Sequence, residues 1–261
     1  MCSFRNLFPS SHMFRNVYLS YWHFCVFVDL KPLNEFITKE TFTMTGAYSV
    51  PSIIKKGDWG VKLDITQAYY HVRMAADSTR YLRFIHNGKV YEFQVLTFGA
   101  HSSPFAFTRL GKAIILHCHS LGIRVVIYLD DVLILADTFG MVVRHAQIVV
   151  DLLVFLGLTI KIEKSVLVPS QRIFFLGFIW DTRTLTCILP PEKLDNIQYF
   201  MREAIKSFTV TLQLLHRLVG FINSTRLAVR GARSRYRGIQ CLLLDNYVNK
   251  RDLKKTVVLT P

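Results

Sequence analysis

The sequence predicts a mixed α/β fold that gives way to a basic helical region, and three observations carry that prediction. Strand-like and helix-like patterns alternate up to about residue 190. Beyond Pro190-Pro191 the chain turns to long helical segments with few β-branched runs. The composition, 51% apolar and 13% aromatic against 19% charged over 261 residues, suffices for a sizeable hydrophobic core and excludes a disordered or low-complexity chain.

The elements follow in order. Val61, Leu63 and Ile65 alternate with Lys62, Asp64 and Thr66 after the turn signal Lys56-Gly57-Asp58, which predicts a strand. Residues 81–85 and 90–93 flank Asn87-Gly88 and predict a β-hairpin. A helix is predicted over residues 105–119, with Ser103 as N-cap and Pro104 in the first helical position. Residues 123–136 are apolar and β-branched on both sides of Asp130-Asp131, so a second hairpin carries the acidic pair at its tip. Residues 139–156 have helical spacing and stop at Gly157, a C-terminal capping residue. Residues 173–180 predict another short strand pair.

Charge narrows the partners. Thirty-two Lys and Arg against 18 Asp and Glu give +14 and a pI near 9.7, and residues 193–261 hold about +9 of it. An excess that large on a folded chain points to a polyanion, nucleic acid before an anionic membrane surface. The five cysteines are scattered without a C-x-x-C pair, which disfavours a disulfide framework or zinc knuckle and suits a reduced, intracellular protein. His117-Cys118-His119 is read as structural, because adjacent side chains point in different directions. The early apolar stretch, residues 17–28, is short of the roughly 20 residues a membrane span needs and contains His23, so no membrane partner is expected. Nothing in the sequence specifies an oligomeric state.

Asp64 projects from an apolar strand, and Asp130 and Asp131 interrupt an apolar hairpin. Carboxylates beside a core cost free energy unless a cation or hydrogen bonds offset them. Mg²⁺ suits a cluster of carboxylate oxygens, and two such ions can clamp a phosphoryl transfer.

These features occur within a series of motifs. Asp64-Ile65-Thr66-Gln67-Ala68-Tyr69-Tyr70-His71-Val72 resembles the first palm motif of reverse transcriptases, and the run from Leu96 to Phe107 resembles the opening of the second. Tyr128-Leu129-Asp130-Asp131 is similar to the signature aromatic-x-Asp-Asp box of that family. Residues 156–165 resemble the fourth motif, Phe175-Leu176-Gly177 the primer grip, and residues 28–34 the fingers segment. The likeness spans about residues 26–240 with the motifs in order. Thr108-Arg109-Leu110, Leu176-Gly177 and Leu218-Val219-Gly220 look most like tyrosine-recombinase (DIRS-type) retrotransposons.

The resemblance implies the right-hand polymerase fold. Residues 1–24 form an atypical N-terminal segment, residues 25–190 hold fingers and palm, and residues 191–261 form a helical thumb-like region. Within the middle part, fingers run to about residue 57 and return around 77–97, and the palm takes 58–76 and 98–190. The implied activity is RNA-directed DNA polymerisation, using an RNA template, a DNA primer and deoxynucleoside triphosphates.

Asp64, Asp130 and Asp131 would bind two Mg²⁺ ions, with Mn²⁺ as a substitute, and Lys164 would protonate the leaving pyrophosphate. Gln67, Ala68, Tyr69, Phe98, Gly99 and Ser102 would form the nucleotide pocket, with Tyr69 as the gate against a ribose 2′-hydroxyl. Tyr128, Phe175, Leu176, Gly177, Arg226, Arg230 and Arg233 would contact primer and template, the arginines belonging to a run of five within residues 226–237.

The chain departs from the family at Cys25, where an arginine four residues before the fingers Asp29 usually holds the triphosphate, and at Thr97 and His101. A fragment or decayed copy without ribonuclease H is the expectation that follows. Its rival reading is a catalytically dead, template-binding remnant of the same fold.

Overall fold

The structure is a computed structural model describing residues 17–20, 25–206, 209–246 and 253–258, with side chains described from residue 28 onward. The chain divides into two units, one comprising the chain up to Ile54 with Trp59–Ser170, the other Lys55–Asp58 with Gln171–Pro261. Most of the atypical N-terminal segment, residues 1–16 and 21–24, lies outside the described residues.

The first unit begins with β1 (Val17–Ser20) and β2 (Cys25–Val28), an antiparallel pair in which Cys25 stands opposite Ser20. A short helix, α1 (Lys31–Asn34), follows. The predicted strand at residues 61–65 is β3 (Trp59–Asp64), and beyond it lies the short helix α2 (Ala76–Thr79). Asn87-Gly88 joins β4 (Arg83–His86) to β5 (Lys89–Glu92), both turn residues lying at positive φ as a two-residue hairpin requires.

The next helix, α3 (Ser102–Ser120), starts earlier than predicted. Ser103 is not its N-cap: it sits inside the first turn, where its Oγ donates to the Thr97 carbonyl oxygen at 2.7 Å. Pro104 is therefore the third helical residue rather than the first, and this is tolerated because the first four helical N–H positions have no partner within the helix. The second hairpin is β6 (Arg124–Tyr128) and β7 (Asp131–Ala136), with Leu129-Asp130 as its turn. Helix α4 (Phe139–Phe155) is capped by the Thr138 side chain, which accepts from the Met141 N–H, and ends before Gly157 at φ 80°. β8 (Val166–Ser170) completes the unit.

Four of these strands form an antiparallel sheet in the order β6-β7-β3-β8. Val61 and Leu63 register with Ile134 and Val132, which in turn register with Val125 and Ile127. These six side chains share one face. They form a single core with Phe107, Ile114 and Cys118 of α3 and Val142, Val149 and Leu153 of α4. Leu133 and Leu135, on the opposite face, are also fully buried, so residues 123–136 show no alternation. Cys118 is buried while its neighbours His117 and His119 are exposed, in keeping with a structural reading.

The second unit opens with a three-stranded antiparallel sheet, β9 (Arg172–Phe175), β10 (Phe178–Asp181) and β11 (Thr186–Ile188). Residues 55–58 attach to it: the Gly57 N–H donates to the Thr182 carbonyl oxygen at 2.8 Å, and the Thr182 hydroxyl donates to the Asp58 carbonyl oxygen at 2.6 Å. Helix α5 (Pro191–Lys206) starts where the change of character is predicted, but the unit itself starts at Gln171. Its helical part continues with β12 (Thr209–Thr211), α6 (Leu212–Asn223), α7 (Ala232–Arg235) and α8 (Arg237–Asn246). A strand that local pattern does not predict, β13 (Thr256–Val258), pairs with β12. Ala204, Val210, Leu212, Leu215, Leu218 and Leu243 form the core of this part.

Candidate active site

The acidic corner of the first unit is a consequence of strand register. Asp64 ends β3 directly opposite Asp131, which begins β7 and pairs across the turn with Tyr128. Asp130 occupies the turn, where its carbonyl oxygen accepts from the Ile65 N–H at 2.8 Å. Its partner in the turn, Leu129, is held at φ 54°, a left-handed conformation that costs a branched apolar residue on the order of 1–2 kcal/mol. The Leu129 side chain packs on the main core, which gives the strained turn an anchor.

Asp64 is buttressed from a third segment. Its N–H donates to the Ser165 Oγ at 3.0 Å, the Ser165 hydroxyl donates to the Lys161 carbonyl oxygen at 2.8 Å, and the Lys161 N–H donates back to the Asp64 carbonyl oxygen at 2.7 Å. Lys164 lies in the same exposed turn. Asp130 is exposed at the tip of the turn, yet the protein packed around its carboxyl raises it above the usual carboxylate range; the charges of Asp131 and Asp64 push it further up, while a backbone hydrogen bond and Lys164 oppose the rise. The three carboxylates thus share one electrostatic neighbourhood.

Lys62 was not among the residues singled out from the sequence. Its Nζ lies 2.6 Å from Asp131 Oδ1. The signal was available: Lys62 precedes Asp64 by two residues on an alternating strand and so occupies the same face.

Of the predicted nucleotide-pocket residues, Tyr69 lies nearest this corner and Phe98 packs on its ring. Gln67 adopts φ 44° and leads into the 3-10 turn Ala68–His71, in which Ala68 and Tyr69 are buried. The Tyr69 ring packs 4.9 Å from Phe98 and 5.9 Å, edge-on, from Phe107, centroid to centroid. Burial chiefly, then Asp130 and Tyr128, push the Tyr69 hydroxyl above its ordinary range, which puts its phenol in the field of the acidic corner. Phe98 also meets Tyr70 at 5.3 Å, edge to face. Gly99 is at φ 93°, and the loop it starts is clamped by Asn34, whose Nδ2 donates to the Gly99 carbonyl oxygen at 2.7 Å and whose Oδ1 accepts from the His101 N–H at 2.9 Å. Ser102 opens α3 at the end of this loop.

The remaining predicted residues belong to the second unit. Phe175 is fully buried at the end of β9, and Leu176 (φ 50°) and Gly177 (φ 75°) form the two-residue turn into β10. Lys193 of α5 braces this hairpin: its Nζ stands 4.6 Å from the Phe178 ring centroid and donates to the Ser224 carbonyl oxygen at 3.1 Å. Arg226, Arg230 and Arg233 are exposed, while Thr225, Ala232 and Tyr236 between and beyond them are buried. The Tyr236 hydroxyl donates to Asn223 Oδ1 at 3.0 Å, which helps pin the segment with its arginines outward.

The donor set fits a divalent cation by its chemistry, since carboxylate oxygens suit a hard ion and a cation would offset the burial and the neighbouring carboxylates that together raise Asp130. Among the described residues no three His, Cys, Asp or Glu side chains converge on one point, and Asp131 already has an oxygen engaged by Lys62. No helix among the described residues is long and apolar enough to cross a membrane.

Comparison with known proteins gives the class. Residues 21–180 match the family "Reverse transcriptase (RNA-dependent DNA polymerase)". The chain belongs to the reverse transcriptase family. It is 25% identical over 173 residues to the retrovirus-related Pol polyprotein from transposon gypsy of Drosophila melanogaster, covering 66% of this chain and 16% of that protein. It is 28% identical over 201 residues to the transposon Tf2-3 polyprotein of Schizosaccharomyces pombe, covering 74% of this chain and 14% of that protein. The chain therefore spans less than a fifth of these relatives.

Among solved structures it resembles a foamy viral protease-reverse transcriptase dRH in complex with double-stranded DNA, with a TM-score of 0.70 at 21% identity over 86% of this chain and 37% of that one. A foamy viral protease-reverse transcriptase in complex with an RNA/DNA hybrid gives 0.67 at 21% identity, covering 86% of this chain and 29% of that one. These likenesses establish the polymerase fold, which the resemblance of the motifs implied.

Proposed function

We propose that this chain is the RNA-directed DNA polymerase part of a retroelement polyprotein, extending a DNA primer on an RNA template with deoxynucleoside triphosphates. The observation that carries the reading is the register that sets Asp64 against Asp131 with Asp130 in the intervening turn, beside the Tyr69–Phe98 pair. Two Mg²⁺ ions, or Mn²⁺ in their place, would supply charge neutralisation at the reacting phosphates. Asp64 and Asp130 are the carboxylates that hold them, with Asp131 assisting, and the Ser165 buttress keeps the Asp64 backbone in place.

Tyr69 is the gate against a 2′-hydroxyl. Its ring is fixed between Phe98 and Phe107, so it offers a wall that cannot yield to a larger sugar. The Gln67-Ala68 backbone approaches the triphosphate, Gly99 and Ser102 complete the pocket, and Lys164, exposed near Asp130, donates the proton to pyrophosphate. The β9–β10 turn with Leu176 and Gly177, together with Tyr128, supports the primer, and the arginines follow the phosphates. On this reading residues 25–190, which include the β9–β11 sheet, are fingers and palm, and the helices from α5 onward are the thumb. The motif wording at Thr108-Arg109-Leu110 and Leu218-Val219-Gly220 supports a tyrosine-recombinase (DIRS-type) element as the source.

Asp130→Asn tests the reading, because it removes charge with little change of volume. Primer extension is expected to vanish while template binding, followed by fluorescence anisotropy, stays within about twofold. Retained extension would overturn the site.

A further inference from the structure

The ion pair between Lys62 and Asp131 lies inside the acidic corner, and no motif of the chain accounts for it. Lys62 is opposite Leu133 in the β3–β7 ladder, so Asp131 is its diagonal neighbour, within reach of a long side chain. The contact is 2.6 Å, and both side chains are largely shielded, at 17% and 24% exposure. Shielding of that kind limits screening by salt. Asp131 is thus tied to a cation through its side chain, whereas Asp64 is fixed through its backbone by Ser165.

We infer that Lys62 is a positioning residue that commits Asp131 to an ion pair, leaving Asp64 and Asp130 as the carboxylates directed at divalent metal and setting how tightly that metal is held. This rests on the proposed polymerase site and adds a role for a residue outside its motifs. An ammonium tied to Asp131 cancels one of three negative charges and occupies an oxygen that a metal would otherwise take. Metal affinity is then held below what three free carboxylates would give. Removing the amine frees Asp131 to join the metal set.

Manganese binding to the whole chain, followed by the electron paramagnetic resonance signal of free Mn²⁺, reads this without reference to catalysis. Lys62→Met is expected to tighten Mn²⁺ by about three- to fivefold, the range that loss of a modest ion pair allows. Lys62→Arg, which keeps the pair, should match the parent protein. Adding Asp131→Asn to Lys62→Met should abolish the gain. Persistence of the gain in the double variant would mean that Lys62 acts by general charge alone, and would overturn the inference, as would unchanged affinity in Lys62→Met. Lys62→Gln repeats the cycle should methionine disturb the strand, with thermal melts verifying that each variant folds. Failure of the polymerase reading looks different: Mn²⁺ binding would then be indifferent to Asp64→Asn and Asp130→Asn as well.

Discussion

The acidic corner of the first unit and the arginine segment of the second both present charge, but the backbone constrains them to different degrees. Asp64 and Asp131 are locked opposite each other in a ladder, and Asp130 lies in a turn whose other residue is strained at φ 54°. The arginines ride on a helix of four residues, on the start of one of ten, and on the turns before them, with Thr225, Ala232 and Tyr236 buried along the segment. Backbone strain persists where surrounding structure over-determines it, and it clusters at functional sites. On the proposed reading, the first region would work through the position of individual atoms and the second through summed charge. Loss of a carboxylate should be all-or-none, and loss of an arginine graded.

The largest expected effect sharpens this contrast directly. Asp64→Asn should lower primer extension by about two decades or more, as removal of a fixed electrostatic contributor does. Arg233→Gln should leave it within about threefold at moderate salt. Comparable losses in steady-state extension would erase the distinction between the two regions.

Cys25 asks whether a guanidinium placed on a strand behaves like the fixed corner. A charge-assisted contact to phosphate is worth on the order of 1.5–3 kcal/mol, and a thiol offers almost none of it. Cys25→Arg should lower the apparent KM for deoxynucleoside triphosphate by about tenfold, with primer affinity unchanged, in extension assays across a nucleotide titration. No gain would show that another group holds the triphosphate.

The graded side of the comparison is read from salt dependence. Replacing both Arg230 and Arg233 with glutamine should reduce the slope of log affinity against log salt by roughly 1.8 for a duplex, about 0.9 for each phosphate no longer neutralised. Weakening should be uniform across template sequences. An unchanged slope would place both arginines away from nucleic acid.

The sequence disclosed these regions unequally. Asn87-Gly88 encodes its own turn, and the alternation around Asp64 encodes its strand, because both signals are local. The start of α3 misled, since Ser103 looks like a cap but its hydroxyl is used by Thr97, a contact set by the loop before the helix. The unit boundary at Gln171 was hidden because Lys55–Asp58 joins the β9–β11 sheet from more than a hundred residues away. The Lys62–Asp131 pair and the strain at Leu129 depend on the β3–β7 register, which no single strand pattern specifies. What local pattern did reveal was the identity of the acids; what it concealed was how they are held.

The smallest effect concerns stability, and it separates fixed from summed charge without any substrate. The Asp130 carboxyl is raised, by burial first and then by Asp131 and Asp64. A carboxyl whose pKa rises on folding holds its proton more tightly in the folded chain, so its ionisation at neutral pH works against the fold. Below the ordinary carboxyl range of about 4 the group is protonated in both states and that cost is absent. The cost grows as pH rises toward the raised value and is complete above it. Asp130→Asn removes the charge, so in EDTA it should raise Tm at pH 7 by about 1–3 °C, an amount discounted for the exposure of the turn. The gain should fade as the melt is repeated at lower pH and be gone near pH 3.5. The same substitution that abolishes extension would then stabilise the protein, the trade expected of a site built from like charges. Melts of Arg233→Gln over the same range should show no such pH-dependent gain, because that side chain is exposed to solvent. A lower Tm for Asp130→Asn at pH 7 would mean that Lys164 outweighs the crowding of carboxylates, and that the corner is balanced without metal.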